Sequence, residues 1–153
     1  MQIRRFEPKD QEGVRDLIED ILAKEFESGH KAYSYCDLDS ISRVYGGKRE
    51  AFFVLEDDGK VIGTAGVKEE SKEAAIIRRL FVLPSQRKKG LGGLLLDRAI
   101  EFCKKNGYKD TTFHAATPMV SAIKLCESRG FRKREELVLG GVDIIRFSLG
   151  LRG

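Results

Sequence analysis

Residues 80–96 read LFVLPSQRKKGLGGLLL. An apolar run from Leu80 to Leu83 halts at Pro84. Three consecutive cations follow, Arg87, Lys88 and Lys89, and then Gly90-Leu91-Gly92-Gly93 opens a second apolar run. Proline cannot donate to a strand ladder, so a strand ends at Val82 or Leu83. A helix begins near Gly90. Between them the backbone must turn and aim several N–H groups at one point, which glycine permits because it has no Cβ. A helix N-terminus carries unpaired donors and a partial positive charge, and together these bind phosphate. The stretch therefore reads as a phosphate or pyrophosphate cradle between a strand and a helix. Serine, threonine or aspartate would cap such a helix better, so glycine there points to a backbone site. The P-loop pattern GxxxxGK[ST] is absent. The dinucleotide fingerprint GxGxxG fails because Leu95 stands at its third glycine, and hairpin-like strands precede the loop where a parallel βαβ unit is required.

Outward from the cradle, the chain alternates strand and helix signals. Gln2 to Phe6 predicts a short strand. Pro8 suits a helix start, and Val14, Leu17, Ile18, Ile21 and Leu22 keep helical spacing, so a helix spans about Lys9 to Glu27. DLDSISRVY (37–45) predicts a short helix with Asp37 as N-cap. Two β-rich runs flank Asp57-Asp58-Gly59-Lys60, a hairpin turn, and a third runs over 74–83. Gly90 to Lys105 is helical, with Leu91, Leu95, Ala99, Phe102 and Cys103 on one face and Asn106-Gly107 as terminator. Residues 111–116 form a strand. Thr117 to Ser128 form a helix with Met119, Ala122, Ile123 and Cys126 on one face. Two strands, about 132–139 and 142–149, flank Gly140-Gly141. The order is β-α-α-β-β-β-α-β-α-β-β, an α/β fold on a mixed sheet.

A length of 153 residues predicts a single domain, 1–153, with its own core. No apolar run approaches the roughly 20 residues that span a bilayer, so no membrane partner is expected. The opening MQIRRFEPKD has no apolar signal region, which with reduced thiols predicts a cytoplasmic protein. Three cysteines without a CxxC pair and two distant histidines predict no metal. The net charge of +4 arises from 28 basic and 24 acidic residues dispersed among one another. That dispersal argues against nucleic acid, and the basic run at 87–89 suits an anionic ligand.

Arg87-Lys88-Lys89-Gly90-Leu91-Gly92 resembles the R/Q-x-x-G-x-G/A motif of the GNAT superfamily of N-acetyltransferases. IIRRLFVLP (76–84) looks like that family's fourth strand. SAIKLCESRGF (121–131) is similar to its second signature, A-I-x-L-Y-E-K-x-G-F. The resemblance covers nearly the whole chain and implies a mixed, mostly antiparallel sheet flanked by helices. It also implies acetyl-CoA as acyl donor, in a cleft where the fourth and fifth strands splay. Carried over, the pantetheine arm pairs with Leu80, Phe81 and Val82, and the pyrophosphate meets the N–H groups of Arg87, Lys88, Lys89, Gly90, Leu91 and Gly92, with Gly93 close by. Met119 stands where relatives often have a cofactor-binding asparagine. Dimers built through the C-terminal strands are common among relatives, so a homodimer is an expectation of the resemblance.

The implied reaction is direct transfer of an acetyl group to a primary amine, most simply a small molecule or amino acid, with a peptide N-terminus or lysine as the alternative acceptor. A CoA-binding sensor without catalysis is the non-enzymatic alternative, because two family positions depart from pattern. Cys126 stands where relatives have a tyrosine that protonates the leaving thiol, and it reads either as that acid or as a small buried residue. Ile76 stands where many relatives have a glutamate base. Glu69, Glu70, Glu73 and His114 remain as base candidates, and His114 is tuned to neutral pH. The N–H of Val82 is the candidate donor to the acetyl carbonyl oxygen. Adjacent residues on a strand point to opposite faces, so one of Arg78 and Arg79 faces the sheet's other side: directed into the acceptor cleft it would suit a carboxylate, and the alternative is a surface salt bridge. Tyr33 is a candidate acceptor-pocket residue, in a segment (28–47) that also holds Tyr35 and Tyr45.

Overall fold

A computed structural model of the chain describes residues 1–25, 36–116, 119–139 and 141–151. Its strands are β1 (Gln2–Arg5), β2 (Ala51–Asp57), β3 (Lys60–Glu69), β4 (Ala74–Val82), β5 (Asp110–Ala116), β6 (Arg132–Leu139) and β7 (Val142–Gly150). Its helices are α1 (Gln11–Glu25), α2 (Ile41–Val44), α3 (Leu91–Lys105) and α4 (Val120–Ser128). The element order is the expected one. The strands form a single sheet in the order β1-β2-β3-β4-β5-β7-β6. Every pairing is antiparallel except β4 with β5.

Side-chain alternation along β2 builds two cores. Ala51, Phe53 and Leu55 join Leu91, Leu95, Leu96, Ala99 and Cys103 of α3, while Phe52 and Val54 join Val14, Ile18, Ile21 and Leu22 of α1. The sheet is therefore buried on both faces over β2 to β4, and β2 reads as one apolar run for that reason. The β2–β3 turn is the predicted one. Asp58 and Gly59 take φ of 50° and 78°, which matches the twist of the flanking strands.

Three local expectations change. The first helix starts as a 3-10 turn, Pro8–Asp10, before α1 begins. The 37–45 segment divides into a 3-10 turn, Cys36–Asp39, and the short α2. Asp37 is therefore not a helix cap: its carboxylate accepts Arg79 Nε at 2.9 Å and the Tyr45 hydroxyl at 2.8 Å. A buried arginine draws the carboxylate more strongly than exposed helical amides do. The last helix begins at Val120, with Met119 as its N-cap.

The decisive irregularity lies in β4. Thr64 pairs with Phe81 and Gly66 with Arg78, so two residues of β4, Arg79 and Leu80, oppose the single residue Ala65. This is a β-bulge. Arg79 sits in it with φ of 55°, and its carbonyl accepts the Thr64 hydroxyl at 2.7 Å. The parallel ladder with β5 ends just before the bulge, at Ile77 opposite Phe113. Beyond that pair β4 and β5 part, and β5 continues against β7 as far as Ala116.

Candidate active site

A cavity of about 620 Å³ lies beside β4 where it has left β5, between the end of α1, the start of α3 and α4. Leu80, Phe81 and Val82 form one wall, Arg87, Lys88, Gly90, Leu91, Gly92 and Gly93 another, and Met119 and Leu125 a third. Ten of the residues expected to hold the donor thus converge. Lys89 does not line the cavity; its ammonium donates to Gln86 Oε1 at 2.9 Å.

Local backbone geometry explains the convergence. Lys88 and Gly90 both lie in the left-handed region, with φ of 65° and 77°. No side chain caps α3. The first i→i−4 bond of the helix is Leu94 N–H to Gly90 O at 3.2 Å, so the amides of Leu91, Gly92 and Gly93 precede it. A Cβ on Gly93 would lie 2.5 Å from the Arg129 guanidinium, which is itself fixed by Asp97 at 2.7 Å. Val82 presents its edge to the same space. Leu83 N–H bonds Ile62 O across β3, so alternation turns the N–H and C=O of Val82 the other way. The Val82 carbonyl there accepts Arg87 Nε at 3.0 Å. These donors, a cationic rim and an apolar wall fit a long ligand with a phosphate end.

Sequence reading missed Glu25. It lines the cavity and holds Arg87 by an ion pair of 2.6 Å. Its spacing of four from the buried Ile21 places it on the inner face of α1, the one signal available in advance.

The other side of the parting carries the titratable groups. His114 is the first residue of β5 beyond the ladder with β4, opposite Arg146 on β7. Phe113 and Ala115 enter the α3 core, so Thr112 and His114 share the opposite face. His114 Nε2 and Thr112 Oγ1 are both sealed from solvent without a hydrogen-bond partner. Burial lowers the His114 pKa below its usual 6.5, with Glu70 pulling the other way, so the imidazole is neutral at pH 7. The glutamates at the hairpin are otherwise engaged: Glu69 with Arg49 at 3.1 Å, Glu70 with Arg146 at 3.5 Å and Glu73 with Lys109 at 3.3 Å.

Arg78 and Arg79 do not take opposite faces. The bulge resets alternation, and Arg79 swings to the α2 side, 7% exposed, with its guanidinium in the Asp37 carboxylate at 2.6 Å. Burial pushes the Asp37 carboxyl up, but Arg79 outweighs it and holds the group below its usual range. Arg78 lies near enough to Asp37, Tyr45 and His114 to bias the titration of all three. Cys126 is fully buried in the α3 core and is absent from the cavity wall. Burial lifts its thiol to about 12. Tyr33 lies outside the described residues.

Known proteins share this architecture. A structure described as an acetyltransferase of the GNAT family from Staphylococcus aureus Mu50 superposes with a TM-score of 0.83 at 20% identity, covering 99% of each chain. A putative acetyltransferase from Salmonella typhimurium, solved with its cofactor acetyl-CoA, gives 0.83 at 18% identity over 99% of this chain and 94% of that one. The uncharacterized N-acetyltransferase YjgM of Escherichia coli is 27% identical over 134 residues, 84% of this chain and 80% of that protein. The chain spans less than half the length of several other acetyltransferases that it matches. The model of the acetyltransferase (GNAT) family matches residues 14–131, a span that holds the bulge, the parted strands and the glycine-opened helix, and the chain belongs to that family.

Proposed function

We propose that the chain transfers the acetyl group of acetyl-CoA directly to the primary amine of a small molecule or amino acid. The observation that carries this reading is the continuity of β4. Leu80–Val82 line the cavity, and the same strand leaves β5 at Ile77, where His114 stands across the gap with a sealed, unpartnered nitrogen. Bound in the cavity, acetyl-CoA supplies an activated thioester. The amides of Leu91, Gly92 and Gly93 meet its pyrophosphate, and the strand edge at Leu80–Val82 meets its pantetheine arm.

His114, neutral at pH 7, takes one proton from the acceptor ammonium, which frees the nitrogen lone pair. The N–C bond then forms as the C–S bond breaks. The proton that nitrogen sheds on becoming an amide neutralises the departing thiolate. Val82 N–H donates to the acetyl carbonyl oxygen during this step. Cys126 takes no part: a thiol at about 12 in the core holds its proton too tightly and stands away from the cavity wall. It stands at the position where the resemblance implies a tyrosine.

Calorimetry with acetyl-CoA, together with thiol release over a panel of amino acids, polyamines and short peptides, tests the reading. Binding with release stimulated by a small amine is the expected result. Absence of acetyl-CoA binding sinks it, and release stimulated by peptides alone moves the acceptor class to proteins.

A further inference from the structure

We infer that the acceptor carries a carboxylate beside its amine, read by Arg78, so that an α-amino acid is the simplest substrate. The inference rests on the acetyltransferase reading above and narrows it.

The face of the sheet around His114 has a definite charge ledger. Arg146 is held by Glu70 at 3.5 Å and by Glu135 at 3.8 Å. Arg79 is held by Asp37, whose second oxygen also accepts Tyr45. Arg78 is half-buried on that face and forms no ion pair with any described residue within 4.0 Å. Among the described residues it is the one of these three arginines without an ion pair. A guanidinium removed from bulk water without a carboxylate is costly, and it recovers most when an anion meets it in bidentate geometry.

Register places this cation. Ile77 opposite Phe113 is the last pair of the ladder, so Arg78 and His114 are the first residues of β4 and β5 beyond it and flank the same gap. A ligand that spans the gap meets a neutral imidazole on one side and a guanidinium on the other. An amine and a carboxylate in one small molecule, as in an amino acid, match that pair. Thr112, 2% exposed and two residues before His114 on the same face, keeps an unpartnered hydroxyl oxygen beside the same spot. A buried polar atom of this kind calls for a ligand group or water. Polyamines are disfavoured, because their second cation would face Arg78 while both nearby glutamates are already engaged by Arg146.

The test uses acetyl transfer by the full chain to L-amino acids, to the matching carboxamides and to the matching decarboxylated amines, with acetyl-CoA binding followed separately. The inference expects acids to exceed both analogues in kcat/KM by about 10- to 100-fold, the worth of a hydrogen-bonded charge pair. Arg78→Met should raise KM for the acids by a similar factor, remove the preference for acids over carboxamides and leave acetyl-CoA affinity unchanged. Arg78→Lys should recover part of the preference. Equal use of acids and carboxamides overturns the inference, as does a preference that survives in Arg78→Met. In both cases acetyl-CoA binding and amine acetylation persist, so the acetyltransferase reading stands. Loss of acetyl-CoA binding by the unmutated chain would instead remove that reading and this inference with it.

Discussion

His114 and Asp37 show how neighbours decide what a titratable side chain does. His114 is depressed by burial, so its protonation opposes activity only at acid pH. The kcat/KM profile should fall on its acid limb below pH 6.5. His114→Gln should abolish that limb and cut kcat by about 100-fold or more, with acetyl-CoA affinity unchanged. A pH–rate series on both proteins checks this, and an unchanged limb in the variant assigns the base elsewhere. Asp37 works through the fold. Removing its carboxylate strands the buried Arg79 charge, so Asp37→Ala should cost about 3–5 kcal/mol in denaturant unfolding. Its depressed carboxyl stabilises the native state fully above about pH 4, the range of a free carboxyl. That contribution is lost as pH falls through the lower folded value. Acid unfolding of the wild type should show this loss, and Asp37→Asn should lack it. The spacing of 42 residues between Asp37 and Arg79 offered no sequence signal for the pair.

At the scale of elements, the β4–loop–α3 unit was legible. Pro84, the cations and the glycines punctuate it, and each acts through a local backbone rule. The ionic link from α1 to this unit was not, since Glu25 and Arg87 are 62 residues apart. A phosphate seeking the Arg87 guanidinium must displace the Glu25 carboxylate. Glu25→Gln removes that competitor and should tighten acetyl-CoA binding about three- to fivefold, a modest change because both partners are partly solvated. Calorimetry at low and high salt reads the effect, and weaker binding by the variant would show that Glu25 supports the ligand. The bulge was also hidden. IIRRLFVL reads as one β-rich run and predicts a regular strand, and only the register against β3 reveals the extra residue. That single residue sends Arg79 into the interior, where it meets Asp37.

For the whole molecule, the sheet has two parts joined by a four-pair parallel ladder between β4 and β5. Ligand in the parting contacts β4, α3 and α4 together, so binding should stabilise the entire fold. Acetyl-CoA at 100 times its dissociation constant should add about 2.7 kcal/mol and raise Tm by about 5–10 °C. Thermal melts across a ligand series check this, and a flat series would show that acetyl-CoA does not bind the folded chain. By itself the sequence determined the element order, the antiparallel hairpins and the glycine-opened helix, because periodicity, turn residues and caps act within a few positions of themselves, and the motifs at 87–92 and 121–131 carried the resemblance to the family. Only the tertiary structure decided where β4 leaves β5, which arginine pairs with Asp37, that Cys126 is core, and that Glu25 pairs with Arg87. Those outcomes depend on strand register and on charge pairs between residues distant in the chain, and no local pattern encodes which partner a buried charge will find.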